Sequence, residues 1–218
     1  MPTPEAFAAR LASLGASEKT LVIGYDASGG VYASRLWWMC RWIGHLKCGV
    51  LDGGIQAWQA EDGPLSTEPF KAKANGRITV RPSLAPLWTL DHVKAWVDSG
   101  SDQAFALLLD ARGGERFRGE QEPLDPVAGH IPGAINRPFT DNLAAGGCFK
   151  KPSELHAEFT AVLGDTDPMS VVHSCGSGVT ACHNLLAMEL AGLHGSSLYA
   201  GSWSEWCSDR SRPAATGN

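Results

Sequence analysis

The chain has 218 residues, 44% hydrophobic and 19% charged, which is enough for one large domain or two small ones. Its 18 basic and 23 acidic residues give a net charge of −5 without any Lys/Arg-rich run, which argues against nucleic acid and anionic membranes as partners. The apolar stretch 31–43 is broken by two arginines and is shorter than the roughly 20 residues of a membrane span. No signal-peptide pattern follows Met1, so we expect a soluble, cytoplasmic protein.

The cysteines are irregularly spaced and form no CxxC pair. They are Cys40, Cys48, Cys148, Cys175, Cys182 and Cys207. We therefore expect neither a disulfide framework nor a metal site, and nothing in the composition calls for a cofactor. Most of these thiols should be small buried side chains in a reducing compartment, which leaves about one thiol for chemistry.

The first 65 residues predict alternating helices and strands. A helix in TPEAFAARLASLG, with Pro in its opening turn, precedes an apolar strand at 21–26. A Gly-containing loop, an apolar helix ending near Gly44, a short strand in GVLDGG and a helix carrying Trp58 follow. From 66 to 85 the sequence is polar and rich in turn residues, so we predict a linker there, around a short extended piece at 77–80.

The back part, residues 86–218, ends on the same plan as the front. A strand at 106–112, the loop GHIPGA at 129–134 and a helix in KPSELHAEFTAVLG lead to the strand VVHSC. A Gly-containing loop, an apolar helix ending near Gly192, the strand SLYAGS and a helix carrying Trp206 then match the front elements in order. This duplication predicts an α/β fold with a parallel sheet flanked by helices.

The two copies are unequal, because the front copy has nothing that matches the strand and loop of 106–134. We therefore predict a partial domain at 1–65, a linker at 66–85 and a complete domain at 86–218. Deleting strands from a sheet exposes an edge and apolar faces, so self-association through the front part is expected.

The segment VVHSCGSGVTACHN contains the most informative loop. A strand runs into Cys175, and two glycines among the next three residues let the backbone bend around a single atom before a helix begins near Ala181. Inward-pointing amides and the positive end of the helix dipole favour an anion there, and would stabilise the Cys175 thiolate or a persulfide. A cysteine at a strand end is more often a packed hydrophobe. The loop matches neither the dinucleotide-binding signature, which needs a third Gly, nor the Walker signature, which needs Gly-Lys-Ser/Thr.

CGSGVTA closely resembles the active-site loop of the 3-mercaptopyruvate sulfurtransferases of the rhodanese superfamily. Other marks of that superfamily occur in order: LLDAR, RFRG, GHIPGA and the closing GSWSEW. LDGGIQAW resembles the end of the family's inactive first domain, in which Asp commonly replaces the cysteine, and Asp26 falls at about that place. The resemblance covers nearly the whole chain.

The resemblance implies that Cys175 carries sulfur as a persulfide. The cradle around that sulfur would be formed by the loop amides at Gly176, Gly178, Val179 and Thr180. Ser177 would help to protonate the leaving pyruvate enolate, and Arg116, the first Arg of RFRG, would bind the substrate carboxylate. From spacing alone, a surface ion pair is as good an interpretation of Arg116. The implied partners are a small sulfur donor and a thiol acceptor such as thioredoxin, or cyanide.

Two departures from the family pattern affect substrate binding. The segment EQEPLDPVA, where relatives often supply a second arginine, has none, so we expect carboxylate binding either to be weaker or to use another group such as Arg137. The family's proposed His and Asp partners of the loop serine come from the first half of the front domain, which has no match here. Arg112 is expected to support the loop, and His130 to be structural.

Three other functions are compatible with parts of the pattern. A thiosulfate sulfurtransferase on the same fold would be expected to carry basic residues where this loop has Gly176 and Ser177. A Cys-x5-Arg phosphatase needs Arg at position 181, which is Ala. A non-catalytic rhodanese-like binding module usually lacks the cysteine that is present here. The neutral loop favours mercaptopyruvate as the donor.

Overall fold

A computed structural model describes residues 1–69, 71–72, 76–101 and 105–218. Its α-helices are Pro4–Ser13 (α1), Val31–Trp42 (α2), Gly54–Ala60 (α3), Leu90–Asp98 (α4), Gly114–Phe117 (α5), Pro152–Leu163 (α6), Thr180–Leu190 (α7) and Ser202–Trp206 (α8). Its strands are Val22–Gly24 (β1), Cys48–Val50 (β2), Leu87–Trp88 (β3), Leu107–Asp110 (β4), Ile135–Asn136 (β5), Val171–Ser174 (β6) and Ser197–Tyr199 (β7). Short 3-10 turns occupy Phe139–Asn142 and Pro168–Ser170. Helices and parallel strands alternate, which confirms the predicted α/β class.

The chain divides into two compact units. The first comprises Met1–Ala85 with Gly146–Cys148, and the second comprises Pro86–Ala145 with Phe149–Asn218. Within the described ranges, no helix is long and apolar enough to cross a membrane. The same ranges contain no group of three or more His, Cys, Asp or Glu side chains that could hold a metal ion.

The first unit is built on a two-stranded parallel sheet in which Val22 pairs with Cys48 and Gly24 with Val50. Its buried core joins α1 to α2 and consists of Phe7, Ala8, Leu11, Ala16, Cys40 and Ile43. Part of the stretch predicted as a linker packs here: Ile78 and Val80 lie against this core.

Backbone hydrogen bonds tie the same stretch to the first unit. The Glu18 amide donates to the Arg77 carbonyl at 3.1 Å, and the Arg81 amide donates to the Ile43 carbonyl at 3.0 Å. Residues 76–85 therefore run along the first unit instead of spanning freely between two domains. Residues 70 and 73–75 of the predicted linker, and 102–104 of the predicted back domain, lie outside the described residues.

The second unit contains a five-stranded parallel sheet in the order β3-β7-β6-β4-β5. Side chains alternate along β4, so Leu107 and Leu109 face one layer of helices while Leu108 faces the other. The first layer buries side chains of α6 and α7, including Phe159 and Met188. The second buries α4 and α8, with Val93, Trp96, Trp203 and Trp206. Burial on both faces accounts for the continuous apolar sequence of β4.

The carboxyl ends of the central strands bring three loops to one edge of this sheet. β4 and β6 run in register, so that Asp110 lies beside Ser174 immediately before Cys175. β7 is the other neighbour of β6 and leads directly into Gly201 and α8. Ligands of parallel α/β sheets bind at this edge, because loops from several strands converge there.

Candidate active site

Cys175 lies at the start of a tight loop between β6 and α7. Cys175 is only 2% exposed, and the Gly178 amide donates a hydrogen bond to its sulfur at 3.1 Å. Gly178 has φ +76, and a Cβ at that position would collide with the Ala200 carbonyl oxygen. Position 178 therefore requires glycine, and its left-handed conformation turns an N–H towards the sulfur.

The other predicted loop residues differ in their exposure to solvent. Gly176, Val179 and Thr180 are half-buried, whereas Ser177 is exposed. Thr180 begins α7, so the positive end of that helix dipole lies at the end of the loop. A mostly buried sulfur, an inward amide and a helix N-terminus form an environment that favours a negatively charged sulfur species.

The turn between β7 and α8 is hydrogen-bonded to the cysteine loop. The Ser202 hydroxyl accepts the Cys175 amide at 3.0 Å and donates to the Tyr199 carbonyl at 2.9 Å. The amides of Trp203 and Ser204 donate to the carbonyls of Cys175 and Gly176, each at 2.9 Å. Sequence reasoning missed this contribution of Ser202. The only signal was a serine following Gly at the start of a helix, which is an ordinary helix N-terminus.

Arg116 lies on α5, in the loop after β4, and the structure brings it to the cysteine loop. A Cβ built on Gly176 would be 3.5 Å from Arg116 Nη1. The guanidinium is also paired: its Nη2 lies 2.6 Å from Glu122 Oε1 and 3.3 Å from Asp125 Oδ2. Arg116 therefore makes ion pairs and also lies beside the loop, and its contact with a substrate carboxylate stays a prediction.

Glu122 joins the two arginines of this region, and sequence reasoning did not single it out. Burial acts to raise the pKa of its carboxyl, but the Arg116 guanidinium and the amides of Leu124 and Asp125 outweigh this and lower it. The carboxylate is therefore ionised and holds Arg116 through charge-assisted hydrogen bonds.

Arg112 supports this loop, as the sequence predicted. Its guanidinium is buried, pairs with Asp110 at 2.8 Å and with Glu122 at 3.3 Å, and donates to the Gly129 carbonyl at 2.7 Å. The plane of Trp203 lies beneath it, with the guanidinium carbon 5.1 Å from the ring centroid. These contacts hold Arg112 in place between β4, the 120–129 loop and α8.

The suggestion that Arg137 replaces the missing second arginine is wrong. Its side chain is nearly buried, with Nη2 at 2.8 Å from Glu158, and its guanidinium carbon lies 4.8 Å from the centroid of the Phe159 ring. Phe159 belongs to the core between α6 and α7, so Arg137 stabilises that layer. An extended Arg after a strand looks the same in sequence whichever face it turns to.

The polar residues near Cys175 in sequence turn into the core or brace the loop. His173 is fully buried, with Nε2 at 3.1 Å from Met188 Sδ. His183 stacks on Phe149 at 4.4 Å between ring centroids. Cys182 donates from its sulfur to the Gly178 carbonyl at 3.3 Å and so braces the loop from below.

The first unit contains a second loop of the same kind, with a carboxylate at its centre. Asp26 Oδ1 accepts the amides of Ser28 and Gly30 at 2.7 and 2.9 Å. Its Oδ2 accepts those of Tyr32 and Ala33 at 2.8 and 2.9 Å. Burial acts to raise the pKa of Asp26, but these four amides outweigh it and lower the pKa. A glycine-containing loop between a strand and a helix in this chain thus binds an anion.

Family comparison gives the decisive result. The model of the rhodanese-like domain matches residues 2–61 and 89–209. The chain belongs to this family. The two matched segments contain the Asp26 loop and the Cys175 loop respectively, and the resemblance inferred from CGSGVTA is confirmed.

The curated relatives of this rhodanese-like chain are named for two different sulfur donors, 3-mercaptopyruvate and thiosulfate. A probable 3-mercaptopyruvate sulfurtransferase of Pseudomonas aeruginosa is 44% identical, over all of this chain and 75% of its own length. The human 3-mercaptopyruvate sulfurtransferase is 40% identical over 98% of this chain and 71% of its own. The bovine thiosulfate sulfurtransferase is 39% identical over 94% and 69%. The chain is a sulfurtransferase of this family.

Solved structures agree on the fold. Tum1 from Saccharomyces cerevisiae superimposes with a TM-score of 0.86 at 27% identity, over 99% of this chain and 76% of that one. SseA from Escherichia coli, whose structure is described as showing the rhodanese fold and the mechanism of 3-mercaptopyruvate sulfotransferases, gives 0.77 at 33% identity, over 94% and 74%.

Proposed function

We propose that this protein transfers sulfane sulfur from 3-mercaptopyruvate to a thiol or to cyanide through a persulfide on Cys175. The observation that carries the proposal is the hydrogen bond from the Gly178 amide to the Cys175 sulfur, in a loop that has the Arg116 guanidinium beside Gly176. A cradled sulfur beside a guanidinium suits a donor that combines a transferable sulfur with a carboxylate. The two mercaptopyruvate-named relatives support that choice of donor.

In the first half-reaction, the Cys175 thiolate attacks the sulfur of mercaptopyruvate. An S–S bond forms, the C–S bond breaks, and its electron pair leaves as the enolate of pyruvate. A proton then reaches the enolate carbon, which gives pyruvate, while the persulfide stays on the enzyme. The Gly178 amide and the α7 N-terminus stabilise negative charge on the sulfur throughout this step.

Ser177 is the residue that we assign to proton delivery. Ser177 is exposed and lies two residues after the nucleophile. Gly176, between them, carries no side chain that could hinder the approach of a substrate. A hydroxyl relays a proton without adding charge to the loop, which suits a leaving group that is itself an anion.

Arg116 is the group that we assign to the substrate carboxylate. A guanidinium binds a carboxylate through two parallel hydrogen bonds, and Nη1 faces the cysteine loop. Glu122 and Asp125 hold the opposite side of the same guanidinium. They fix its orientation and also offset its charge, so substrate binding should be weaker than at a site with two unpaired arginines.

In the second half-reaction, an acceptor attacks the outer sulfur of the persulfide and releases the Cys175 thiolate. Cyanide gives thiocyanate, and a thiol gives a new persulfide, which a second thiol converts to a disulfide and sulfide. A dithiol acceptor of the thioredoxin kind would supply both thiols. We also propose a cytoplasmic location, where such acceptors are reduced.

Thiosulfate transfer is the second candidate, because the bovine thiosulfate sulfurtransferase is almost as similar in sequence as the human relative. Thiosulfate is a dianion, and the loop offers neutral Gly176 and Ser177 next to a guanidinium that two carboxylates already share. That charge distribution favours the monoanionic donor. The chain lacks the arginine that a Cys-x5-Arg phosphatase requires, since position 181 is Ala.

We assign no transfer chemistry to the first unit. Its Asp26 carboxylate lies in the corresponding loop between a strand and a helix, where it accepts four loop amides. The two units are then copies of one strand–loop–helix–strand–helix plan, of which the second carries the nucleophile.

The proposal is tested by the intact mass of the protein after incubation with mercaptopyruvate and gel filtration. The wild type should gain the mass of one sulfur atom and lose it again on addition of cyanide. Cys175→Ser should gain none, because a hydroxyl cannot form a persulfide, while Cys148→Ser in the first unit serves as the matched control. Sulfur retained on Cys175→Ser, with Cys182 or Cys207 as the carrier, would show that the nucleophile is misassigned.

A further inference from the structure

The end of α5, the short helix that carries Arg116, is held by a buried histidine from the GHIPGA motif. His130 Nδ1 lies 2.8 Å from the Phe117 carbonyl oxygen. A carbonyl only accepts, so Nδ1 carries the proton and donates it. The last carbonyls of a helix have no partner within it and need one from outside. His130 supplies that partner one residue after Arg116.

His130 is itself rigidly placed. Its ring stacks on the Phe117 ring with 3.7 Å between centroids and an angle of 6°. Its backbone forms an antiparallel bridge with Ala215, with N···O distances of 2.8 and 2.9 Å. The residue is only 4% exposed, and the pKa of its imidazole is lowered, mainly by burial, so the ring is neutral.

Gly129, which precedes His130, and the C-terminal segment that pairs with His130 both bond to residues next to α5. The Gly129 carbonyl accepts a hydrogen bond from Arg112, and the amide of Gly217, in the C-terminal segment, donates to the Arg118 carbonyl at 3.0 Å. The Gly129–His130 end of the motif and the C-terminal segment that pairs with it are therefore bonded to residues on either side of α5. We expect a displacement of this end of the motif to shift α5.

Such a displacement would change the orientation of Arg116 beside the cysteine loop. The Arg116 guanidinium lies between Glu122 on one side and Gly176 on the other, so its orientation depends on where α5 ends. A misplacement of about 1 Å in a binding group is enough to lose most of its contribution to substrate positioning.

We infer that His130 is a positioning residue for Arg116: by donating to the Phe117 carbonyl and stacking on the Phe117 ring, it sets the direction in which the guanidinium meets the substrate carboxylate. The inference rests on the proposed function, because it assigns the carboxylate to Arg116. It gives the His of GHIPGA an effect on substrate binding in addition to its effect on the fold.

Two variants separate the hydrogen bond from the stacking. His130→Phe keeps an aromatic ring against Phe117 but has no donor. His130→Asn loses the ring but keeps an N–H close to the position of Nδ1. If the hydrogen bond positions Arg116, His130→Phe should raise KM for mercaptopyruvate by roughly three- to tenfold with kcat little changed. His130→Asn should recover most of that loss.

The choice of donor provides a readout that a general loss of structure would not give. Mercaptoacetone has the same keto-thiol but no carboxylate, so its KM should be unaffected by His130→Phe. In an Arg116→Ala background, His130→Phe should add no further change in the mercaptopyruvate KM, because the group that it positions is gone. Equal losses for both donors, or additive losses in the double variant, would overturn the inference.

The Arg116 Nε–H signal in NMR tests positioning without turnover. The signal is assigned by its disappearance in Arg116→Lys, and it reports the contact of Nε with Glu122 at 3.3 Å. It should shift or broaden in His130→Phe and return in His130→Asn. An unchanged signal in a folded His130→Phe protein overturns the inference while leaving the proposed function intact. If the wild type does not accept mercaptopyruvate, the proposed function fails, and the NMR comparison still decides whether His130 positions Arg116.

Discussion

The Ser202 hydroxyl bridges the nucleophile and the neighbouring strand: it accepts the Cys175 amide at 3.0 Å and donates to the Tyr199 carbonyl at 2.9 Å. Ser202 is fully buried and has φ +54, a conformation that residues other than glycine rarely adopt. Backbone strain of this kind persists only where the surrounding contacts require it. Here the two hydrogen bonds of the Ser202 hydroxyl fix the end of β6, where the cysteine loop starts.

Ser202→Ala should therefore be costly. It leaves the Cys175 amide and the Tyr199 carbonyl buried without this partner, which costs about 1–3 kcal/mol of unfolding free energy. It should also slow persulfide formation, because the Cys175 backbone gains freedom. Urea unfolding and single-turnover kinetics measure the two effects. Ser204→Ala is the control, since only its backbone bonds to the loop. Equal stability of the two variants would contradict the assignment.

Loop charge is the second point that can be tested, through donor preference. Replacing Gly176 and Ser177 together with Arg and Lys should shift kcat/KM towards thiosulfate by roughly 1–3 kcal/mol, the scale of charge-assisted contacts. The new Arg would start 3.5 Å from Arg116 Nη1, so two cations would face a dianion. A double Gln variant of similar side-chain length is the neutral control. If the wild type already prefers thiosulfate, loop charge does not decide the donor.

Burial of His173 should make the stability of the protein depend on pH. Burial lowers the pKa of its imidazole from 6.5 to about 3. The unfolded chain therefore binds a proton that the folded chain excludes, and stability is lost as pH falls below 6.5. From pH 7 to pH 5 this contribution amounts to roughly 2 kcal/mol.

The measurement is the difference in unfolding free energy between pH 7 and pH 5, in the wild type and in His173→Leu. The variant should lose about 2 kcal/mol less than the wild type over this interval, whatever its absolute stability. His194→Gln is the control, because the His194 side chain is 66% exposed. An equal pH slope in His173→Leu would show that His173 is not the group responsible.

Much of the site was predictable because it is local in sequence. The strand ending in β-branched residues, the glycines and the following helix specify the Cys175 loop, and β6 and α7 form at the expected positions. The structure brings Arg116 of the RFRG motif beside the cysteine loop, although spacing alone could not separate an ion pair from a substrate contact. The structure shows the ion pairs and the proximity to Gly176 together.

What the sequence could not predict depends on contacts between distant segments. The bridge from Ser202 to Cys175 spans two strands, and no local pattern indicates φ +54 at a serine. Glu122 looked like a loop residue until Arg112 and Arg116 were seen on either side of it. The polar stretch 66–85 was predicted as a linker from its composition, but Ile78 and Val80 are enough to attach part of it to the first core.

The two units should differ in local stability, and hydrogen exchange can measure this. In the first unit the sheet has two short strands, and large apolar side chains beside it stay exposed: Leu21 by 62%, Ile23 by 46% and Tyr25 by 61%. In the second unit β6 lies between two neighbours and is buried on both faces. Because sheets of two strands are marginal on their own, amides at 21–58 should exchange faster than those at 171–206 in a dilute monomer.

The comparison is internally matched, since both segments follow one strand–loop–helix–strand–helix plan in the same molecule. The Asp26 loop should be the best protected part of the first segment, because four of its amides bond to one carboxylate. Self-association through the exposed side chains would appear as protection at 21–58 that increases with protein concentration, while 171–206 stays constant. Equal protection of both segments at high dilution would mean that the first unit is as stable as the five-stranded one, and the two-strand argument would be wrong.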